Sequence, residues 1–127
     1  TVLSEQRQNV ECLSDDLASM RGHAHQVEKL LDGNFDLQSF GDVLHRNWVR
    51  KRTLAKKITT AQIDRWYDRA MAAGAAGGKI CGAGGGGFLL LAVEPGRRAA
   101  VREALSELSE LSFNYEPQGS RVLLPTA

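Results

Sequence analysis

The chain has 127 residues, with 16 basic and 15 acidic side chains and a formal net charge of +1. That balance lacks the basic surplus of a nucleic-acid-binding protein, while 43% hydrophobic residues are ample for one globular core. The longest apolar run, Phe88 to Val93, is far too short to span a bilayer, and the polar start from Thr1 to Asn9 shows no signal peptide. The two cysteines, Cys12 and Cys81, have no CxxC partner and no His at metal-ligand spacing, so a reduced cytoplasmic setting is expected rather than a disulfide scaffold. A chain that opens on Thr1 rather than Met is read as a fragment or a processed product.

In chain order, the first third reads as a long helix. Val10, Leu13, Leu17, Met20, Ala24, Val27 and Leu31 recur at spacings of three and four, which puts them on one helical face. A core-facing stripe is expected in preference to a coiled-coil dimer. Gly22 marks a possible bend, and Gly33-Asn34 ends the run as a C-cap. A second helix is predicted from Asp36, its N-cap, to about Arg52, with Leu37, Phe40, Leu44 and Trp48 on one face. Arg50, Lys51 and Arg52 suit the negative end of its dipole. A third helix starts near Thr59, which with Gln62 has capping-box spacing. Its apolar face is Ile63, Trp66 or Tyr67, and Ala70, and Gly74 stops it.

The character then changes, since eight of the fourteen residues from Gly74 to Gly87 are glycine. Lys79 to Cys81 reads as a short strand, and Phe88 to Val93 as a buried one. Arg97 to Leu111 reads as a helix with Val101, Ala104, Leu105 and Leu108 inward. Phe113 and Tyr115 alternate as a strand, Pro117 to Gly119 forms a turn, and Arg121 to Leu124 makes a final strand. Helices over about 2–73, followed by a glycine loop and sheet over about 77–124, give an α+β domain.

The segment from Gly77 to Phe88 carries the functional signal. Glycine loses the most backbone entropy on folding, so four in a row make sense where the backbone must approach another group or adopt positive φ. Bare amides in such a loop can cradle phosphate oxygens. Gly82 to Gly87 fits G-x-G-x-x-G by letter, but a strand follows it rather than a helix, and no Gly-Lys-Ser/Thr completes a Walker loop. Chemistry alone gives a backbone-lined anion or ligand loop, with a flexible hairpin connection as the bland alternative.

Lys79-Ile80-Cys81-Gly82-Ala83-Gly84-Gly85-Gly86-Gly87 resembles the third motif of the GHMP kinases, the superfamily of galactokinase, homoserine kinase, mevalonate kinase and phosphomevalonate kinase. Leu44 to Arg52, Ile63 to Tyr67, Ala75 to Lys79 and Phe113 to Val122 resemble the D-glycero-D-manno-heptose 7-phosphate kinase branch. The resemblance implies a ferredoxin-like C-terminal domain with extra helices. It also implies an active site in a cleft shared with an N-terminal ATP-binding domain that is absent from this chain. Its cofactors would be ATP and Mg²⁺, and its acceptor a sugar or sugar phosphate. Gly82, Ala83, Gly84, Gly85, Gly86 and Gly87 would lie beside the ATP phosphates, with Lys79 and Cys81 leading in. The first two family motifs and the catalytic Asp and Lys belong to the other domain, so no catalytic residue is assigned here, and the chain alone is expected to be inactive.

Arg46, Arg50, Lys51, Arg52, Lys56 and Lys57 form a basic cluster. It reads either as a solvated helix end or as a clamp for the phosphate of a phosphorylated sugar, with Lys51 and Arg52 in contact; Lys79, on the strand leading into the loop, is read with them as substrate-binding. His45, three residues before Trp48, reads as half-buried packing or as a pocket lining. His23 and His25 point to different sides of a helix, and no metal site is predicted. Cys81 reads as a small buried filler. Asp15, Asp16, Glu103, Glu107 and Glu110 read as exposed helix faces. The competing function classes are a non-catalytic ferredoxin-like sensor and a dimerising scaffold built on the heptad stripe.

Overall fold

A computed structural model of the chain describes residues 2–9, 14–53, 58–82 and 85–123. Five helices and one two-stranded antiparallel sheet follow in the order α1 (Val2–Asn9), α2 (Ser14–Asp32), α3 (Leu37–Arg52), α4 (Ala61–Ala72), β1 (Gly77–Cys81), β2 (Phe88–Ala92) and α5 (Arg98–Ala104). A short 3₁₀ turn at Pro95–Arg97 leads into α5. This is the α+β arrangement expected from the sequence.

Helix α3 forms where its local signals are strongest. Asp36 sits in extended backbone and accepts from the Ser39 N–H at 2.9 Å, which satisfies one of the orphan donors of the first turn. Leu44 and Trp48 are buried as predicted, and Gly41 and Val43 join them. Helix α4 starts one residue later than its capping-box spacing predicts. Thr60, not Thr59, is the N-cap and accepts from the Ile63 N–H at 3.2 Å. Position three of the helix is then Ile63, so Gln62 closes no box. Tyr67 rather than Trp66 takes the buried place beside Ile63 and Ala70, and Gly74, at φ +107°, ends the helix.

The stripe predicted on the first helix holds at Leu17, Met20 and Val27, but His23 and Leu30 take the places expected of Ala24 and Leu31. His23 is the buried side chain of α2, with Met20, Val27 and Leu30 half-buried, whereas Ala24 is exposed and Leu31 is 64% exposed. Val10, Cys12 and Leu13 lie outside the described residues. Polar contacts from α3 flank this face: Arg46 donates to Gln26 at 3.2 Å and Arg50 to Asp16 at 2.5 Å. Thus Asp16 is an ion-pair partner rather than a solvated carboxylate.

The sheet is a hairpin in which Gly77 pairs with Ala92 and Cys81 with Phe88. Three apolar clusters hold it. Trp48, Ile63, Tyr67 and Ile80 form one, Leu44, Ala76 and Ala92 a second, and Ala70, Ala75 and Val101 a third. Leu89 joins the first, and Leu91 and Val93 the third, while Ala92 is buried on the other face in the second. The run predicted as buried is so only away from the turn: burial falls off along β2 from Ala92 to Phe88, which is 62% exposed at the turn end.

The C-terminal third departs from expectation. Helix α5 ends at Ala104 rather than Leu111, and hydrogen-bonded turns follow it. Glu107 there accepts from Trp66 Nε1 at 2.9 Å and pairs with Arg69 of α4, while Arg102 grips Glu110 through two bonds of 2.9 and 2.8 Å. These carboxylates are tethers, not free faces. Phe113–Tyr115 and 121–123 form no strand among the described residues, and Leu124 lies outside them. Phe113 and Tyr115, 62% and 89% exposed, meet edge-to-face but have no sheet to bury against. Alternation favours a strand only where one face finds a partner layer.

Candidate functional site

Helix α3 runs alongside β1, with Gly41 against Gly77 near one end and Lys51 beside Cys81 at the other. The C-terminal end of α3 therefore arrives at the turn between the two strands. That turn spans residues 82–87, of which Ala83 and Gly84 lie outside the described residues. Gly82, Gly85 and Gly87 have φ of +123°, +71° and +106°, the left-handed region that side-chain-bearing residues rarely enter. At Gly87 a Cβ would also stand 2.4 Å from the Cys81 carbonyl oxygen. Gly86 differs: nothing lies within 4 Å of its would-be Cβ, and its φ lies outside that left-handed range. The hairpin itself therefore does not require a glycine there. The Gly85 N–H donates to the Ile58 carbonyl at 2.8 Å, which ties the turn to the start of α4.

The structure separates the basic cluster into three groups. Arg46 and Arg50 point to α2, as described. Arg52 forms an ion pair with Asp64 at 3.1 Å. Lys51 and Lys79 come together instead. Burial, followed by the charge of Lys79, holds the Lys51 ammonium below its ordinary range, and Cys81 opposes this. Neither lysine has an ion-pair partner among the described residues. Lys56 and Lys57 lie outside them. A partly desolvated ammonium beside a second lysine, with no counter-ion among the described residues, makes a favourable place for an anion. Cys81, a free thiol, is half-buried beside them rather than sealed in the core.

A second polar contact was not legible in the sequence. His45 pairs with Tyr67, 22 residues away, rather than with Trp48: its Nδ1 is 2.6 Å from the phenol oxygen, and the rings stack at 5.8 Å and 17°. Burial, the main cause, pushes the Tyr67 hydroxyl above its ordinary value, while the Gly78 amide and Arg52 draw it back. A neutral phenol favoured by the fold contributes stability that is fully present below the ordinary value of 10.0. This contribution disappears as pH rises through the higher folded value. Tyr67→Phe should therefore cost about 1 kcal/mol at pH 7 and flatten the alkaline loss of stability, as read by urea titrations at pH 7 and pH 11. An unchanged alkaline slope would place the responsible group elsewhere.

His23 is buried and His25 is exposed beside Glu28, on different sides of α2 as expected. Among the described residues no three His, Cys, Asp or Glu side chains converge as a metal site, and no helix is long and apolar enough to cross a membrane. A shallow groove of about 360 Å³, lined by Gln26, Leu30, Asp42 and Arg46, lies between α2 and α3. None of its lining residues belongs to the glycine turn.

These features define an α+β domain with a glycine-rich turn at one end of a helix-backed hairpin and, beside the strand leading into it, two lysines with no ion-pair partner among the described residues. The chain belongs to the GHMP kinase C-terminal family: the family model described as GHMP kinases C terminal matches residues 26–110. It is also 28% identical over 85 residues to the D-glycero-alpha-D-manno-heptose 7-phosphate kinase of Campylobacter jejuni, a match covering 64% of this chain. The matched region spans 25% of that relative's length.

Proposed function

We propose that the chain is the C-terminal part of an ATP-dependent sugar or sugar-phosphate kinase and supplies its glycine-rich turn to a site completed by an N-terminal ATP-binding domain. The observation that carries this reading is the turn itself. Its open glycine, Gly86, follows a strand along which Lys51 and Lys79, with no ion-pair partner among the described residues, come together near Cys81. In this reading the described amides of Gly82 and Gly85 to Gly87, with Ala83 and Gly84 between them, lie along the nucleotide phosphates. Lys51 and Lys79 face the transferred or acceptor phosphate. ATP with Mg²⁺ supplies the phosphoryl group. The described residues offer cations and amides rather than a carboxylate set, so the metal would be held from the other domain. Phosphoryl transfer depends on positioning and charge neutralisation, and those are what this chain can contribute.

The similarity to a heptose 7-phosphate kinase makes D-glycero-D-manno-heptose 7-phosphate the first acceptor to test. The parent protein, with its upstream domain present, should phosphorylate that sugar phosphate and leave mevalonate untouched. Turnover of mevalonate alone would overturn the sugar assignment while leaving the kinase reading intact.

A further inference from the structure

Among the described residues, one backbone hydrogen bond ties the glycine turn to a segment outside its own hairpin, from the Gly85 N–H to the Ile58 carbonyl at 2.8 Å. Ile58 is a firm anchor, fully buried with 0% exposure. The two residues after it are fixed by α4. Thr60 caps the helix, and the Thr59 hydroxyl donates to Asp64 Oδ1 at 3.0 Å. The same carboxylate oxygen takes the Arg52 guanidinium from the last turn of α3 at 3.1 Å, and the Asp64 N–H donates to the Thr60 carbonyl at 2.9 Å. Asp64 thus joins the end of α3, the 58–60 segment and the start of α4 in one knot, which the Ile58 carbonyl connects to the turn.

We propose that Asp64 and Arg52 are positioning residues that set the glycine turn in place through Ile58, and that Arg52 does not itself contact a phosphate. Arg52 would have to give up its ion pair with Asp64 to reach a ligand, and that carboxylate also holds the part-buried Thr59 hydroxyl. Lys51, its neighbour, has no such commitment. This inference rests on the kinase reading only for its catalytic consequence. Its structural half concerns the Gly85 amide and stands apart from any activity.

The test is amide hydrogen exchange resolved at Gly85, with Ile80 and Ala92 of the sheet as reference amides, in the chain and in its Asp64→Ala, Asp64→Asn and Arg52→Met variants. Asp64→Ala should speed Gly85 exchange roughly tenfold with the sheet amides unchanged, which is the signature of local rather than global opening. Asp64→Asn keeps an acceptor for Thr59 and should recover most of that protection. It also serves as the informative variant if Asp64→Ala fails to fold. Gly85 exchange that stays at the parent rate in every folded variant, or that rises only in step with the sheet amides, overturns the proposal. In the parent enzyme, Arg52→Met should lower kcat while leaving the KM for a sugar phosphate in place. A raised sugar-phosphate KM with kcat unchanged would instead make Arg52 a direct phosphate contact and overturn its assignment as a positioning residue.

Discussion

Gly77→Ala should destabilise the chain by about 3 kcal/mol or prevent it from folding, whereas Gly86→Ala should be neutral to within about 0.5 kcal/mol or mildly stabilising. A Cβ at Gly77 would stand 1.9 Å from the Gly41 carbonyl oxygen, and one at Gly41 would stand 2.5 Å from the Ala76 Cβ. Helix α3 and strand β1 approach so closely there that both surfaces must be bare backbone. No side-chain rotation relieves the clash, because the obstructing atoms at Gly77 are main chain. The same approach brings the last turn of α3 beside the glycine turn, so loss of this contact would also displace Lys51. Urea denaturation of the two variants checks both expectations. Comparable losses at Gly77 and Gly86 would mean that the helix–strand contact is not the close approach described. Given a stable fold, the kinase reading adds that Gly86→Ala weakens nucleotide binding in the parent roughly tenfold, because the added methyl occupies space the phosphates need.

Lys51→Met and Lys79→Met should each raise the KM for a phosphorylated acceptor about ten- to a hundredfold, the range of a charge-assisted hydrogen bond lost from a partly buried site. The stability of the chain without ligand should move the other way. With its folded value depressed below the ordinary 10.5, Lys51 makes the fold less favourable while it is charged. Its neutral form adds stability as pH rises through the folded value, and that stability is absent at pH 7. Removing the charge by Lys51→Met should therefore leave the unliganded chain as stable as before, or more stable by about 0.5 kcal/mol. A structural lysine held by a hidden counter-ion would show the opposite pattern, with a loss of stability and no change in KM. The pair of measurements separates a site that awaits an anion from a solvated helix end.

Local signals were the legible ones. Asp36 caps α3 as read, because an N-cap needs only its own backbone geometry and an amide three residues on. Trp48 is buried as read because the apolar periodicity of α3 is strong. Thr59 and Thr60 both have cap chemistry, and spacing alone favoured the wrong one. Thr60 is the cap because its hydroxyl accepts from the Ile63 N–H, leaving Thr59 to bind Asp64 instead. The contacts of α2 with Arg46 and Arg50 are made with a neighbouring helix and are invisible to hydrophobic periodicity. The glycine-rich stretch read as one device divides at Cys81. Gly77 serves helix packing before it, and Gly82 to Gly87 form the turn after it. The contact of His45 with Tyr67 and the Asp64 knot depend on α4 folding back onto α3, a tertiary fact that no spacing encodes. Phe113 and Tyr115 alternate as a strand would, but alternation cannot supply the sheet face that would make them one.

The measurement that tests the account most directly is ADP release with Mg-ATP and D-glycero-D-manno-heptose 7-phosphate, by this chain alone and by a parent protein with the upstream ATP-binding domain that the proposed kinase reading requires. The account predicts turnover by the parent and none by the chain. Turnover by the chain alone would contradict it, because no catalytic residue is assigned here. Failure of both with every sugar, sugar phosphate and mevalonate would also contradict it, and would favour a ligand-binding module over a kinase.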